Sequence, residues 1–523
     1  MDFNFTSARQ KGTSEREEID EEIETLLKRV RSLRERRNTL APVSCLPSEI
    51  LSFIFCICVH DSEAEADTRK FPRSHAFSQV CQFWREVALD TAAIWTMVPR
   101  NSLELTETFL SRTKGASLSF MKSKDERPND EAVRASLQQL SRTQSLTLYA
   151  DPDIAQYAGN LSVPAPHLVQ CTITSTATSR LPDRFLGLHA PRLRTLSLRG
   201  FGWDVLHSPL VHGLTDLNLD GIPMDSFPRG EQLVAALKSM PDLTKLALKA
   251  AWPPLEELAG PLRDVPRNVV VLDRLTSLEL SAAGSYVSHL LAFIRVPPTA
   301  FLSVEFLRER TPCDFSSLMD MLANHGTCHK NGPRVWHLVF GFTFDDESHC
   351  ELAAHTALVT SRFTPALLRV AVPSEHKQTL ADIAYAIRGD DIECLEVEFS
   401  HPEVHDWATF ATQLLVRGER AKELRVDFID TSKTVIPLLL APSPVLLPAL
   451  QRIHFNLASQ APSSEAIASW QELLLQRYKT SNTMLEVEFS EVARLKDEVM
   501  DSICKITGPG RVFLVDGDRR EAW

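Results

Sequence analysis

The sequence predicts an α/β protein: a helical N-terminal segment, a small all-α module, and a long array of parallel strands with helices on the outer side. Three observations predict it. A short motif, LxxLxL, recurs through residues 101–523 at a near-constant step. The segments between its copies place apolar residues at helical spacing. Ahead of the array, residues 14–100 read as helices alone.

Residues 1–13 are expected to be disordered. Ser14 and Glu17 form a capping-box pattern that opens a helix over 14–43. Ile19, Ile23, Leu26, Val30, Leu33 and Leu40 follow alternating steps of four and three, with Arg37 in the remaining slot. That is a heptad seam. Acidic residues crowd 15–24 and basic residues crowd 28–37, which suits the helix dipole. Two readings stay open: a short coiled coil, or a solvated helix lying on the next domain. Pro42 ends it.

Residues 44–100 form the module. Leu46-Pro47 places proline at a helix start, and Ser48 and Glu49 suit a first turn. Ile50, Leu51, Ile54, Phe55 and Cys58 cover a broad apolar face. The acidic run His60–Lys70 reads as a loop. Phe77, Val80, Cys81, Trp84, Val87 and Ala88 then recur at the spacing of a second amphipathic helix. Ile94, Trp95 and Val98 close the module in a short apolar turn. So small a unit buries little by itself and must dock on something.

In the array, LRTLSL (Leu193–Leu198), LTDLNL (Leu214–Leu219), LTKLAL (Leu243–Leu248) and LTSLEL (Leu275–Leu280) are the clearest copies. The middle apolar residue of each copy, weaker ones included, falls at 146, 171, 196, 217, 246, 278, 304, 338, 370, 397, 426, 453 and 487. The mean step is about 28 residues, within the range of repeat architectures that stack strand and helix. Pro166, Pro191, Pro241 and Pro448 stand two residues before a strand-opening leucine, where proline stops a helix. No unit can bury its leucines alone, so neighbours must stack.

Composition limits the function. Apolar residues make up 44% and charged residues 24%, as in a folded soluble protein. A net charge of −12 gives no support for nucleic-acid binding. The longest apolar stretch, Val435–Leu450, is broken by four prolines and falls short of a membrane span. Ten cysteines lie mostly in apolar runs, and the N-terminus has no signal-peptide pattern. A reducing compartment, cytoplasmic and/or nuclear, is expected.

No phosphate loop, dinucleotide fingerprint, zinc-protease or nucleophile-elbow motif occurs. His325, Cys328 and His329, with Cys313 and Cys350 at a distance, lack the second tight pair that a zinc site needs. Paired carboxylates such as Glu396/Glu398 sit on alternate strand positions, so they share one face. No catalytic residue, cofactor or metal is expected. The strand positions flanking the anchors form a polar face of changing sign, suited to recognising a protein. Arg199, Asp216, Asn218, Lys245, Glu279, Glu396, Glu398, Arg425, Asp427, Arg452, His454 and Glu486 are its candidate substrate contacts.

The array resembles a leucine-rich-repeat solenoid, with one departure. Where that family has asparagine three residues after the last leucine, the best copies carry Phe201, Ile222, Ala251 and Ala283. The module resembles an F-box domain of the variant common in mushroom-forming fungi. LPSEILSFIF and SQVCQFWREVALDTAAIW carry the resemblance, with Ala92-Ala93 and Phe83 as departures. The resemblance implies an adaptor without chemistry of its own. Its F-box binds a Skp-type linker of a cullin ubiquitin ligase, and its repeats hold a protein substrate. It implies linker contacts at Leu46, Pro47, Ile50, Leu51, Ile54, Val80, Cys81 and Trp84. Trp95 and Phe55 are expected in the module's own core, and Trp84 fits either place. The alternative is a repeat scaffold whose F-box-like helices serve as a structural cap without ligase coupling.

Overall fold

Helix α1 spans Phe3–Thr39 in a computed structural model, and a 3-10 turn over Pro42–Cys45 follows it. The structure describes residues 3–64, 73–99, 102–122, 129–150, 154–223, 230–250, 269–308, 313–328, 333–343, 346–356, 366–398, 408–427, 429–441, 445–456, 463–481, 485–490, 497–508, 510–516 and 519–522. The helix starts at Phe3, not Ser14, and so runs through the segment expected to be disordered. Residues 3–13 contain no proline, and extending an existing helix is far easier than nucleating one. Ile19, Ile23, Leu26, Val30 and Leu33 are all exposed, so the seam does not lie on the module.

The chain divides into two compact units, residues 1–175 with 181–193, and 176–180 with 194–523. In the first, α2 (Ser48–Ala64) extends into the acidic run read as a loop; residues 65–72 lie outside the described residues. The second amphipathic helix is in fact two, α3 (Arg73–Val80) and α4 (Gln82–Asp90). They break at Cys81, whose backbone is extended and whose thiol accepts the Trp84 N–H at 3.5 Å. Cysteine is an unusual N-cap, which hid the break.

Around these helices lies a core of Leu51, Phe55, Val59, Val87, Ala88, Ile94, Trp95 and Val98. It does not stop at residue 100. Phe109 of α5 (Leu103–Arg112) and Leu118 of β1 (Leu118–Lys122) belong to it. Met97 bridges to Ser119 of β1 in parallel, so the module's end adds a rung to the first strand. After α6 (Asp130–Leu137), β2 (Thr143–Ala150), α7 (Ala158–Leu161) and β3 (Gln170–Ser179) follow, and β1, β2 and β3 pair in parallel.

The second unit is a mixed α/β layer. Its strands are β4 (Thr195–Phe201), β5 (Asp216–Ile222), β6 (Lys245–Ala250), β7 (Val270–Val271), β8 (Ser277–Ala283), β9 (Ile294–Arg295) and β10 (Phe301–Leu307). Then come β11 (His337–Thr343), β12 (Asp346–His355), β13 (Leu368–Pro373), β14 (Cys394–Glu398), β15 (Glu423–Asp427), β16 (Arg452–Asn456), β17 (Glu486–Ser490), β18 (Val512–Asp516) and β19 (Arg519–Ala522). Helices α8 (Gly230–Lys238), α9 (Gly284–Phe293), α10 (Ser316–Ala323), α11 (Lys377–Ala386), α12 (Ala408–Val416), α13 (Ile429–Leu440), α14 (Ser464–Ser481) and α15 (Asp497–Thr507) alternate with them. Phe455 stacks on Trp470 of α14 and Phe489 meets the same ring at a tilt, so α14 covers the apolar face of the strands there.

Every anchor residue from Leu146 to Val487 lies in a strand and is buried. The prolines sit in turns as expected. Leu168, Leu193, Leu243 and Leu450 donate backbone N–H groups to Ala165, Ala190, Met240 and Leu447, which places each proline second in a four-residue turn. Phe201, Ile222 and Ala283 are buried and fill the layer where asparagines were expected, while Ala251 lies outside the described residues. Gly221 (φ +66) permits this turn inward after β5, and a Cβ there would meet the Gly200 nitrogen at 3.4 Å.

One part of the array departs from a simple stack. Strand β10 pairs with β8 and then with β13, not β11. Strand β12, unforeseen in the sequence, pairs antiparallel with both β11 and β13, and β11 continues to β14. Only two residues separate β11 from its antiparallel partner β12 in sequence. Cys350, Leu352 and Ala354 are buried on one face of β12, and His349, Ala353 and His355 on the other. Strand β19 closes the far end antiparallel to β18.

Arg308 clips the out-of-order strands together by a two-pronged ion pair to Glu375, with both contacts at 2.9 Å. Hydrogen bonding from Arg308 holds the Glu375 carboxyl below the usual carboxylate range. The pair therefore stabilises the fold above the unfolded pKa of about 4.3 and loses its effect as pH falls through the lower folded value. Arg308→Gln should flatten this acid limb, by under about 1 kcal/mol because both groups are well exposed. Urea midpoints between pH 3 and 7, compared with wild type, check it; an unchanged acid limb would refute it.

Candidate protein-interaction surfaces

The module carries an unburied apolar stripe. Along α2, Ile50 is 48% exposed, Phe53 64%, Ile54 38% and Ile57 43%, and on α3 Val80 is 57% exposed. The α2 residues stand at i, i+3, i+4 and i+7, one helical face, while Leu51, Phe55 and Val59 form the opposite, buried face. Between Ile50 and Val59 the helix is apolar on both faces, and one of the two is exposed. An exposed apolar stripe of this kind is a candidate contact surface.

The expected linker contacts separate on this basis. Pro47, Ile50, Ile54 and Val80 are exposed, and Leu46 is half-buried. Leu51 is buried in the module's own core and is corrected from contact to core residue. Trp84 is half-buried, with its ring 5.0 Å from Phe55, which itself stacks on Phe77 at 4.4 Å. Cys81 is half-buried as the cap of α4. Trp95 is fully buried, as expected. Phe53 and Ile57 were missed, although the i+3 and i+7 steps from Ile50 identify both.

The polar face of the strands is a ladder of cross-strand pairs. In its first half, Arg199 pairs with Asp220 (3.3 Å), Lys245 with Asp216 (3.6 Å) and Lys249 with Glu279 (2.8 Å). Asn218 donates to Ser197. The cationic partners are well exposed, so these pairs can exchange for partners on another protein.

The second half is more closed. Glu396, Arg425, His454 and Glu488 align across β14 to β17, beside a row of Cys394, Glu423, Arg452 and Glu486. Arg425 lies 2.7 Å from Glu423 and 3.7 Å from Glu396; His337 reaches Glu396 at 3.3 Å. Arg452 lies 3.2 Å from each of Glu423, Glu486 and Glu488, and His454 is 3.6 Å from Glu488. Glu488 is buried. Burial pulls the Arg452 guanidinium down, but Glu488, Glu486 and Glu423 outweigh it and raise its pKa. Glu423, the hub between the two arginines, was not foreseen. The side chains of Glu398 and Asp427 lie outside the described residues.

Such an arrangement offers little for acid–base or nucleophilic chemistry. Each carboxylate of the second half lies against an arginine, with Arg425 and Arg452 each shared among several. The Cys394 thiol is pushed up by burial and by Glu423, which keeps it from acting as a thiolate. Glu351 is raised by burial against the opposing pull of Arg369, 2.9 Å away. His325 is buried with Nδ1 against Thr327 Oγ1 and Nε2 against the Ala300 carbonyl, both at 2.9 Å, so neither nitrogen is free to bind metal. His329 lies outside the described residues. Among the described residues, no three or more His, Cys, Asp or Glu side chains gather as metal ligands, and no helix is long and apolar enough to cross a membrane.

No family model matches the chain. No curated protein matches it either.

Proposed function

We propose that the chain is a substrate-recognition adaptor of a Skp–cullin–F-box type ubiquitin ligase, acting in the cytoplasm or nucleus and without catalysis of its own. The module binds the Skp-type linker through Ile50, Phe53, Ile54, Ile57 and Val80. The repeat units form a leucine-rich-repeat-type solenoid whose polar face holds a protein substrate. The exposed stripe on α2 carries this reading: it lies on the segment whose LPSEIL motif resembles an F-box. Helix-in-groove contacts of this kind are made by apolar side chains at i, i+3, i+4 and i+7. The exposed half of the ladder, at Arg199, Asp216, Asn218, Lys245 and Glu279, is the stronger candidate for substrate contact. Its charges exchange partners at lower desolvation cost than the closed half.

The test is direct binding of the purified chain to a Skp-type linker protein. Ile54→Glu with Ile57→Glu should weaken binding about 100-fold or more, without moving the melting temperature, since both side chains face water. A second reading has its own support. The module's core takes in Phe109 of α5 and Leu118 of the first strand, as that of a structural cap would. Under that reading the wild-type chain does not bind the linker, and this outcome would remove the adaptor proposal.

A further inference from the structure

Helix α1 leaves a complete heptad seam in solvent. Ile19, Leu26 and Leu33 occupy d positions, Ile23 and Val30 occupy a positions, and all are exposed. We infer that this seam is the interface for a second copy of the same chain, and that the two α1 helices pair antiparallel. Charge complementarity selects both the partner and its direction. In an antiparallel pair, a residues meet d residues of the partner, and flanking positions meet their own kind, g with g and e with e.

One register pairs every seam residue from Ile19 to Arg37. Ile23 meets Leu33 of the other copy, Leu26 meets Val30, and Ile19 meets Arg37. The flanking contacts then bring Glu22 to Arg36 and Asp20 to Arg34, each twice by symmetry. Leu27, exposed and outside the seam, meets its own copy at the centre. Arg29 also meets its own copy there, the one repulsive contact. The parallel alternative sets Glu22 against Leu27 and Arg29 against Arg34, which gains no ion pair and adds two repulsions. Lys28 and Glu24, paired within the helix at 3.7 Å, lie on the outer face and are untouched.

Sedimentation of the full-length chain tests this. Wild type should dimerise in the micromolar range, at about 1–100 μM. Glu22→Arg should weaken association about tenfold, and adding Arg36→Glu should restore it; Arg29→Gln should tighten it. In a parallel pair, Glu22→Arg would have little effect. Under oxidation, Leu27→Cys should cross-link two copies and Leu33→Cys should not. A monomer throughout that range would overturn the inference, whether the seam folds onto the chain itself or takes a different protein. So would cross-linking through Leu33→Cys alone, or failure of the paired reversal to rescue. Linker binding by the module is read separately, so either proposal can fail without the other.

Discussion

Trp95→Ala should destabilise the N-terminal module by about 3–5 kcal/mol, the usual cost of truncating a large buried aromatic. The side chain is fully buried, and its indole N–H donates to the Ala88 carbonyl at 2.7 Å. Phe109 meets it edge-on at 4.9 Å, and the Arg112 guanidinium sits 4.4 Å above the ring. The cavity would open where α4, α5 and the Ala92–Trp95 turn converge. Trp95→Phe keeps most of the apolar contact but loses the hydrogen bond, so it should cost less. Urea unfolding followed by far-ultraviolet circular dichroism measures both. A loss below about 1 kcal/mol for the alanine variant would show that the core repacks around the gap.

Arg452→Met should cost about 1–3 kcal/mol at pH 7, through the carboxylates it strands. The figure is set below that of a fully buried pair because Arg452 is partly exposed. Glu488 is buried and would keep His454 nearby without the Arg452 charge, and Glu423 would keep Arg425. Protonating a stranded carboxylate relieves the cost, so the variant's deficit should shrink as pH falls. Arg452→Met with Glu488→Gln should recover much of the loss at pH 7, because an amide needs no counter-charge. If the deficit is the same at pH 5 and pH 8, the lost term is packing of the arginine stem and not charge.

The array was legible because its signal repeats. Any one LxxLxL is weak, but thirteen anchors at a near-constant step leave little room for another period, and all thirteen are buried in strands. Strand β12 was not legible. Its apolar positions, Cys350, Leu352, Ala353 and Ala354, make no LxxLxL copy, and it runs antiparallel to both neighbours. The break at Cys81 escaped because helical spacing continues across it.

The candidate surfaces were legible in part. Periodicity places Ile50, Ile54 and Leu51 on α2, but it cannot say which side of an all-apolar helix faces the core. Leu51 was therefore misplaced and Phe53 missed. On the strands, alternation located the polar face correctly. The pairing of its charges depends on the register between strands, which no single segment encodes. Glu423 sits at the first residue of its strand and gains its importance only from Arg425 and Arg452 beside it.

The reversed order around β12 bears on how the protein is made. From β4 to β10 each new strand finds its neighbour already in place, so the sheet can grow as the chain lengthens. At β10 growth halts. Leu302 must wait for Leu368, and everything from β11 through β12 has to be synthesised first. Strand β11 keeps its other edge for β14, which is made only after β13. The β10–β13 pairing thus closes a longer loop than adding a neighbouring repeat does, which predicts a slower step in folding.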